Sequence, residues 1–209
     1  MIHQTEKAKY IRIWDHPEYR AFSPAEQIVG IANSMFQKYG KIGSLIDFGC
    51  GTGRAAKRFS EIGYDVTMID FAPNAVEVSG LTFKEYCLWL LPPEIKSDHG
   101  ICIDVMEHIP TDKVSDTLDC IHKSVTDLMF FQIALTPDSC GSLIGEKLHL
   151  TLWDSTQWKQ ELNSRWTEVY SESNGYNLIY LGRSTHLDPI AGPSLSLIHI
   201  SEPTRRYAI

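Results

Sequence analysis

The stretch LIDFGCGTGRAAKRF, residues 45–59, constrains the fold more than any other part of the sequence. An apolar run that suits a buried strand leads into glycines at alternate positions, Gly49, Gly51 and Gly53, and a helical pattern follows at once. Glycine costs roughly 0.5–1 kcal/mol relative to alanine in regular structure, so this density indicates a backbone that must turn tightly and stay uncovered. At the end of the first strand of a parallel sheet, such a turn lets the backbone approach a ligand and directs the amides of the next helix towards it.

Apolar and amphipathic segments alternate along the rest of the chain, which is typical of a parallel sheet covered by helices. The predicted strands are 44–49, 65–70, 81–87, 100–106 and 127–135, and the predicted helices between them are 54–62 and 111–124, the second capped by Thr111. Further on, 155–166 is predicted as a helix capped by Ser155, and 167–181 as two strands that turn at Asn174 and Gly175. The sequence therefore predicts an α/β fold whose sheet ends in an antiparallel hairpin.

Composition and charge exclude several classes of protein. The 209 residues are enough for one domain, and the net charge of −7 comes without the basic cluster that a nucleic-acid surface needs. No apolar run is long enough to span a bilayer, and the N-terminus lacks the apolar core of a signal peptide. The five cysteines show no C-x-x-C spacing, so we expect reduced structural thiols. These observations predict a cytoplasmic protein without a membrane or nucleic-acid partner.

Asp70 closes the second predicted strand 19 residues after Gly51, where a carboxylate can accept hydrogen bonds from both hydroxyls of a ribose. The D-x-G-x-G-x-G spacing also differs from the G-x-G-x-x-G of dinucleotide sites. In DFGCGTGR, VTMIDFAPNAV, FKEYCLWLLP and IDVMEHIP, taken in this order, the chain resembles the class I S-adenosylmethionine-dependent methyltransferases over about residues 40–182. The resemblance implies a single-domain Rossmann-like fold with a seven-stranded, mostly parallel sheet, and S-adenosyl-L-methionine as the cofactor.

The resemblance also divides the chain into segments. It implies an N-terminal cap segment over 1–40, the S-adenosylmethionine-binding methyltransferase domain over 41–182, and a C-terminal tail over 183–209. Residues 194–209, SLSLIHISEPTRRYAI, resemble the translation of a sequencing adapter of the kind that ends proteins predicted from environmental DNA, and are expected to carry no function. The alternative is a native C-terminal strand in SLSLIHI.

A set of residues is assigned to the cofactor by carrying the resemblance over position by position. It implies Gly49, Gly51 and Gly53 beside the methionine part, Asp104 beneath it, Asp70 at the ribose, and Phe71 and Ala72 around the adenine. Arg20, a cation among the aromatic residues of segment 10–29, either binds the cofactor's carboxylate or belongs to a surface helix with solvated charges. Cys87 and Leu88 stand where the family often has an aspartate and an apolar residue beside the adenine amine. Cysteine is a poor hydrogen-bond acceptor, so the alternatives for the amine are backbone carbonyls or Glu85. Asp47 either contacts the cofactor or satisfies the backbone amides of its own turn.

The stretch DVMEHIP carries the residues expected to act in catalysis. His108 is a candidate base, because its pKa normally lies near the working pH. Asp104, Glu107 and His108 are also similar to the E-x-x-E-H motif with which some ubiquinone-pathway O-methyltransferases and small-RNA 2′-O-methyltransferases bind a divalent metal. His149 would then act beside His108 as a fourth ligand, and magnesium or manganese would suit this donor set. The alternative is that EHIP only shapes the cofactor pocket, as in methyltransferases without a metal.

The resemblance implies an enzyme that moves a methyl group to oxygen or nitrogen of a small-molecule acceptor. The acceptor site is expected in the aromatic segment 10–29 and in the long segment 136–158 after the fifth strand, both outside the common sheet. One alternative is a metal-assisted RNA ribose 2′-O-methyltransferase, which the negative charge disfavours. The other is a catalytically inactive protein that binds S-adenosylmethionine and supports a partner.

Overall fold

The computed structural model describes residues 2–21 and 24–185, so the predicted adapter segment 194–209 lies outside the described residues. The helices are α1 (Ile2–Trp14), α2 (Pro17–Ala21), α3 (Pro24–Tyr39), α4 (Arg54–Ile62), α5 (Val114–Ser124) and α6 (Ser155–Asn163). The strands are β1 (Ser44–Phe48), β2 (Asp65–Asp70), β3 (Thr82–Glu85), β4 (Ser97–Ile103), β5 (Val125–Ala134), β6 (Trp166–Ser173) and β7 (Asn177–Ser184).

The strands form one seven-stranded sheet in the order β3-β2-β1-β4-β5-β7-β6. The first five strands run parallel to one another, and β7 pairs antiparallel with both β5 and β6. The predicted α/β fold with a C-terminal antiparallel hairpin is therefore confirmed. The direction in which consecutive strands are added to the sheet reverses beside β1, which pairs with β2 on one side and with β4 on the other. Ligands of such sheets bind in the crevice at this reversal.

Apolar residues on both faces of the sheet explain why helices cover it on two sides. In β1, Leu45 belongs to one buried cluster and Ile46 to the other, as the alternation of side chains along a strand requires. The cluster around Leu45 includes side chains of α3 and α4, such as Phe36 and Phe59. The cluster around Ile46 includes side chains of α5 and α6, such as Leu118. The sheet is thus buried between two helical layers, and its carboxyl edge remains for a site.

Two predicted helix caps are wrong. The cap of α6 is Asp154 rather than Ser155, because the Asp154 side chain accepts the amide of Gln157 and the Gln157 side chain accepts the amide of Asp154. A short 3-10 helix over Thr111–Lys113 precedes α5, and the Thr111 hydroxyl bonds the hydroxyl of Thr151 at 2.8 Å instead of capping the helix. The first difference is a local capping box, whereas the second depends on a contact between two loops that the tertiary fold brings together.

Several predicted element ends shift by a few residues. The third strand was predicted over 81–87, and β3 covers only Thr82–Glu85. The fourth strand was predicted to end at 106, and β4 ends at Ile103 because Asp104 adopts a left-handed backbone with φ 52°. The helix predicted over 155–166 ends at Asn163, and the remaining residues turn into β6. In the described ranges, no helix combines the length and the apolar character that crossing a membrane would require. All five cysteines are free thiols, as the sequence predicts.

Candidate active site

Two cavities open at the carboxyl edge of the sheet, on either side of the turn that follows β1. Cavity 1 is lined by Tyr10, Trp14, Gly49, Asp70, Phe71 and Leu88, among others. Cavity 2 is lined by Gly51, Thr52, Glu107, Gln132, His149 and Asn177, among others. The two cavities share Trp14, Tyr19, Gly49, Asp104 and His108, so they meet at the ends of β1 and β4.

The glycine turn between β1 and α4 has the bare backbone that the sequence predicts. Gly49, Gly51 and Gly53 all have positive φ, at 75°, 50° and 78°. A Cβ atom on Gly51 would lie 2.9 Å from Cζ2 of Trp14, so no side chain fits there. A Cβ on Gly53 would instead press on the sulfur of Met68 at 2.7 Å, which shows that Gly53 packs α4 against β2. Gly49 and Gly51 thus face the cavities, and Gly53 lies behind the turn.

Asp70 sits at the end of β2 with its carboxyl in the wall of cavity 1. One of its oxygens accepts the amide of Gly51 at 2.9 Å, and the other accepts the amide of Ala72 at 2.9 Å. Burial raises the pKa of Asp70, whereas these amides hold it down. The carboxyl therefore fixes the glycine turn relative to β2, and each oxygen keeps a lone pair for a ligand.

The other residues predicted around the adenine divide into two pairs. Phe71 and Leu88 line cavity 1, as a base-stacking role requires. Ala72 is fully buried in a small cluster with Ile13, behind the cavity wall. Cys87 is half-buried, and within the described ranges the wall of cavity 1 includes its neighbour Leu88 but not Cys87 itself. The structure therefore brings the predicted apolar partner to the cavity and leaves the thiol outside it.

Arg20 has partners of its own on the loop after β2. Its guanidinium donates to the backbone oxygens of Asn74 and Ala75 and pairs with Glu77 at 3.4 Å. It thereby ties α2 to this loop, and within residues 2–21 and 24–185 it does not line either cavity. The predicted pairing of Arg20 with the cofactor's carboxylate would have to displace these contacts.

Asp47, in β1, is buried behind the glycine turn. A hydrogen bond from the backbone of Ala56 in α4 holds it, and its Oδ2 finds no hydrogen-bond partner among the described residues. Burial, and next the charge of Asp70, raise the pKa of Asp47 to about 7. Because Asp47 faces no cavity in the described part of the chain, the contacts favour the alternative in which it satisfies backbone amides.

The wild type is expected to lose stability as the pH rises from about 4 to about 7, and the substitution Asp47→Asn should remove this loss. In this window the unfolded chain releases the proton that the folded state retains, so the free energy of unfolding falls as the pH rises and levels off above pH 7. Asparagine keeps an oxygen for the Ala56 amide and carries no charge. The variant should therefore exceed the wild type in stability by about 1–3 kcal/mol at pH 8 and match it near pH 4. Urea unfolding at both pH values measures this, and a difference that does not grow with pH would contradict it.

Glu107, His108 and His149 form a compact cluster, called here the EHH cluster, in which one donor atom from each residue lies within 4.8 Å of the others. The two imidazole rings meet edge to face with their centroids 4.7 Å apart. Nδ1 of His108 lies 3.1 Å from the backbone oxygen of Leu148, and Nδ1 of His149 lies 2.5 Å from that of Thr136. A carbonyl oxygen can only accept, so Nδ1 of each ring donates a proton, and Nε2 is the ring nitrogen left for another partner.

Glu107 is fully buried, and among the described residues only the backbone of Glu107 itself and of Ala134 approaches its carboxyl group, without a hydrogen bond of ordinary geometry. Burial, and then the charge of Asp104, raise the pKa of Glu107 well above its usual value. Its backbone oxygen accepts the amides of Leu150 and Thr151 at 2.8 and 3.0 Å, which ties the loop after β5 to the end of β4. This tie brings His149 to His108.

Asp104 is the one predicted metal ligand that the structure keeps apart from the EHH cluster. Its Oδ1 accepts the side-chain amide of Gln132 at 3.0 Å, and the residue lines both cavities. Burial raises the pKa of Asp104, and the Gln132 hydrogen bond opposes this. Of the four predicted ligands, three are therefore assembled, and Asp104 faces the boundary between the cavities.

Several cavity residues escaped the sequence analysis although the sequence carries a signal for them. Gln132 is the single amide within the apolar run DLMFFQIAL, and its side chain lines cavity 2 and fixes Asp104. Glu6 lines cavity 1 from α1, four residues before Tyr10 and eight residues before Trp14, which both belong to the predicted segment 10–29. The spacing puts all three on one helix face, which a search for helical periodicity would have shown.

Comparisons with known proteins indicate a methyltransferase domain. A family model described as a methyltransferase domain matches residues 19–179, which includes the glycine turn, Asp70 and the EHH cluster. A comparison with curated protein sequences gives no match. Among solved structures, a protein from Pyrococcus horikoshii matches with a TM-score of 0.64 at 13% identity, over 82% of this chain and 93% of that chain.

Two further solved structures are methyltransferases. The 1,6-didemethyltoxoflavin-N1-methyltransferase of Burkholderia thailandensis, solved with S-adenosylhomocysteine and 1,6-didemethyltoxoflavin, matches with a TM-score of 0.57 at 17% identity, over 78% of this chain and 77% of that chain. The magnesium protoporphyrin IX methyltransferase of Synechocystis, solved with S-adenosylhomocysteine, matches with a TM-score of 0.58 at 18% identity, over 77% of this chain and 81% of that chain. At these identities, the likeness shows a shared fold.

Proposed function

Because the chain belongs to the methyltransferase domain family and is an S-adenosylmethionine-dependent methyltransferase, we propose that it methylates an oxygen or nitrogen atom of a small molecule. The observation that carries the proposal is the meeting of two cavities at Gly49, Asp104 and His108. Cavity 1 would hold the adenosyl part of the cofactor between Phe71 and Leu88, with the ribose at Asp70. The methyl group would then point towards cavity 2, where the acceptor would bind.

The lining of the cavities supports a small acceptor. Within the described ranges, neither cavity is lined by lysine or arginine, which an RNA backbone would require. The two methyltransferases named above act on ring-bearing small molecules according to their names, which agrees with the aromatic side chains of Trp14 and Tyr19 at the shared wall. The intact glycine turn, Asp70 and the paired histidines favour methyl transfer over a protein that only binds the cofactor.

Methyl transfer is an in-line displacement, in which a lone pair of the acceptor attacks the methyl carbon while the carbon–sulfur bond breaks and its electrons stay on sulfur. The protein contributes alignment, exclusion of water and removal of the acceptor's proton. Burial, and next the neighbouring His149, lower the pKa of His108 to about 3, so this ring is neutral at pH 7 and its Nε2 can accept from a hydroxyl or an amine. We assign His108 to orienting the acceptor and His149 to receiving the proton.

Thermal unfolding with S-adenosylmethionine, S-adenosylhomocysteine and NAD(H) tests the proposal. Each adenosyl compound, at about 100 times its dissociation constant, should stabilise the protein by about 2.7 kcal/mol, and NAD(H) should not. Formation of S-adenosylhomocysteine is then followed across a panel of phenols and amines. Stabilisation by NAD(H) alone would contradict the assignment of cavity 1, and cofactor binding without turnover on any acceptor would favour the binding-only alternative.

A second candidate is that transfer is assisted by a divalent metal, and the buried, unpartnered oxygens of Glu107 favour it. The EHH cluster fits such an ion, because both imidazoles have Nδ1 fixed by a backbone oxygen and Nε2 free, as metal-binding histidines commonly do. Two imidazoles and one carboxylate suit manganese better than magnesium. A bound ion would polarise a hydroxyl of the acceptor, and Glu107, His108 and His149 would hold it without Asp104.

A further inference from the structure

One face of α1 covers cavity 1 with side chains spaced at every fourth residue. Glu6, Tyr10 and Trp14 all line this cavity, and the spacing i, i+4, i+8 aligns them on the same side of the helix. Ion pairs from Lys7 to Glu85 and from Arg12 to Glu146 hold the middle and the last turn of the helix. The three side chains thus form a row across the cavity, which we call the α1 row.

The α1 row runs in a defined direction along the site. Trp14 lies over Gly51, and the ring of Tyr10 lies 5.4 Å from the ring of Phe71, which follows the ribose-side Asp70. Glu6 lies two turns before Trp14, about 12 Å away along the axis at 1.5 Å per residue. The neighbouring Lys7 pairs with Glu85 at the end of β3, the strand outside β2. Glu6 therefore lies at the end of cavity 1 that is farthest from the glycine turn.

The two polar groups of the α1 row differ in how they are satisfied. Tyr10 is 7% exposed, and its hydroxyl has no hydrogen-bond partner in the described part of the chain. Oε2 of Glu6 is buried and its charge is compensated by an ion pair with the ammonium of Lys9, while the residue lines cavity 1. A carboxylate accepts several hydrogen bonds, so a donor group of a ligand in cavity 1 can bind beside Lys9.

We propose that Glu6 accepts the hydrogen bond of the cofactor's exocyclic adenine amine and thereby sets the specificity of cavity 1 for adenosyl compounds. The inference rests on the proposed placement of the cofactor, with its methionine part at Gly51 and its ribose at Asp70, because this placement puts the base at the Glu6 end. The thiol of Cys87, at the position where the sheet would supply an acceptor, is outside the cavity wall, and so is Glu85, which pairs with Lys7. The helix therefore provides the acceptor that the sheet lacks, and Tyr10 contacts the ribose side.

Affinities for two ligands that differ only in the amine test the proposal. The ligands are S-adenosylhomocysteine and its 6-deamino analogue, in which hydrogen replaces the exocyclic amino group. The wild type should bind S-adenosylhomocysteine about 10- to 100-fold more tightly, as expected for one hydrogen bond to a charged group. Glu6→Ala should bring this ratio close to one by weakening S-adenosylhomocysteine alone, and Glu6→Gln, which keeps an amide oxygen, should give an intermediate ratio. Isothermal titration calorimetry measures both affinities.

Two variants of the same helix serve as matched controls. Tyr10→Phe should weaken the binding of both ligands by the same factor, and Lys7→Ala, which removes the ion pair with Glu85, should leave the ratio of the two affinities unchanged.

A merely structural role of Glu6 in holding Lys9 would lower both affinities together. An unchanged ratio in Glu6→Ala, with ligands still bound, would overturn this inference alone. Failure of the wild type to bind S-adenosylhomocysteine would overturn both the inference and the proposed function.

Discussion

Gly51→Ala is expected to lower the affinity for S-adenosylhomocysteine by at least about 100-fold, since it breaks the turn at which both cavities meet. The backbone of Gly51 has φ 50°, a conformation that costs other residues roughly 1–2 kcal/mol, and the new Cβ would lie 2.9 Å from Trp14. Moving Trp14 would disturb the α1 row, and moving Gly51 would break its 2.9 Å hydrogen bond to Asp70. The variant should also lose about 1–3 kcal/mol of stability. Calorimetric titration and urea unfolding measure the two effects.

Gly63→Ala is the matched control for backbone strain. Gly63 has φ 114° at the end of α4, and a Cβ there would meet nothing within 4 Å among the described residues. This variant should lose stability comparably and keep the affinity of the wild type, because Gly63 is remote from both cavities. If the two variants lost affinity equally, strain rather than the geometry of the site would explain the result, and the assigned role of Gly51 would be wrong.

The parts of the site that depend on neighbouring residues were predictable from the sequence. The sequence placed the glycine turn and Asp70 at the ends of the first two strands, and the structure joins them through the amide of Gly51. Glu107 and His108 lie in a short 3-10 helix that begins at Met106, soon after β4. The cap of α6 was misplaced by one residue because Asp154 and Ser155 both satisfy the cap preference, and only the reciprocal bonds with Gln157 distinguish them.

The parts that depend on loops meeting across the fold were less accessible. The approach of His149 to His108 requires the amides of Leu150 and Thr151 to bond the backbone oxygen of Glu107, and sequence separation carries no such information. The exclusion of Asp104 from the EHH cluster depends on its left-handed backbone and on Gln132 in β5. Glu6 was overlooked because a carboxylate on an N-terminal helix is ordinarily solvated, and only the fold places it over cavity 1.

His149→Ala is expected to lower the rate of methyl transfer by about 10²- to 10⁴-fold and to leave the affinity for S-adenosylhomocysteine within about threefold of the wild type. His149 lines cavity 2 alone, so its loss removes a group that contacts the acceptor and spares the cofactor. The double variant with His108→Ala should be little slower than the slower single variant, because residues that act as a unit are not additive. Wild-type turnover in His149→Ala would rule out both of its proposed roles.

Manganese binding separates the two roles of the EHH cluster. If the cluster holds a metal, Mn²⁺ added to the EDTA-treated, S-adenosylhomocysteine-bound wild type should raise the melting temperature, whereas Glu107→Gln and His149→Ala should abolish this shift. Asp104→Asn should retain it, since Asp104 lies outside the cluster. No shift in the wild type, together with slow transfer in His149→Ala, would assign His149 to proton removal without a metal. The unpartnered Glu107 would then be a buried neutral acid, as its raised pKa already favours in the absence of a cation.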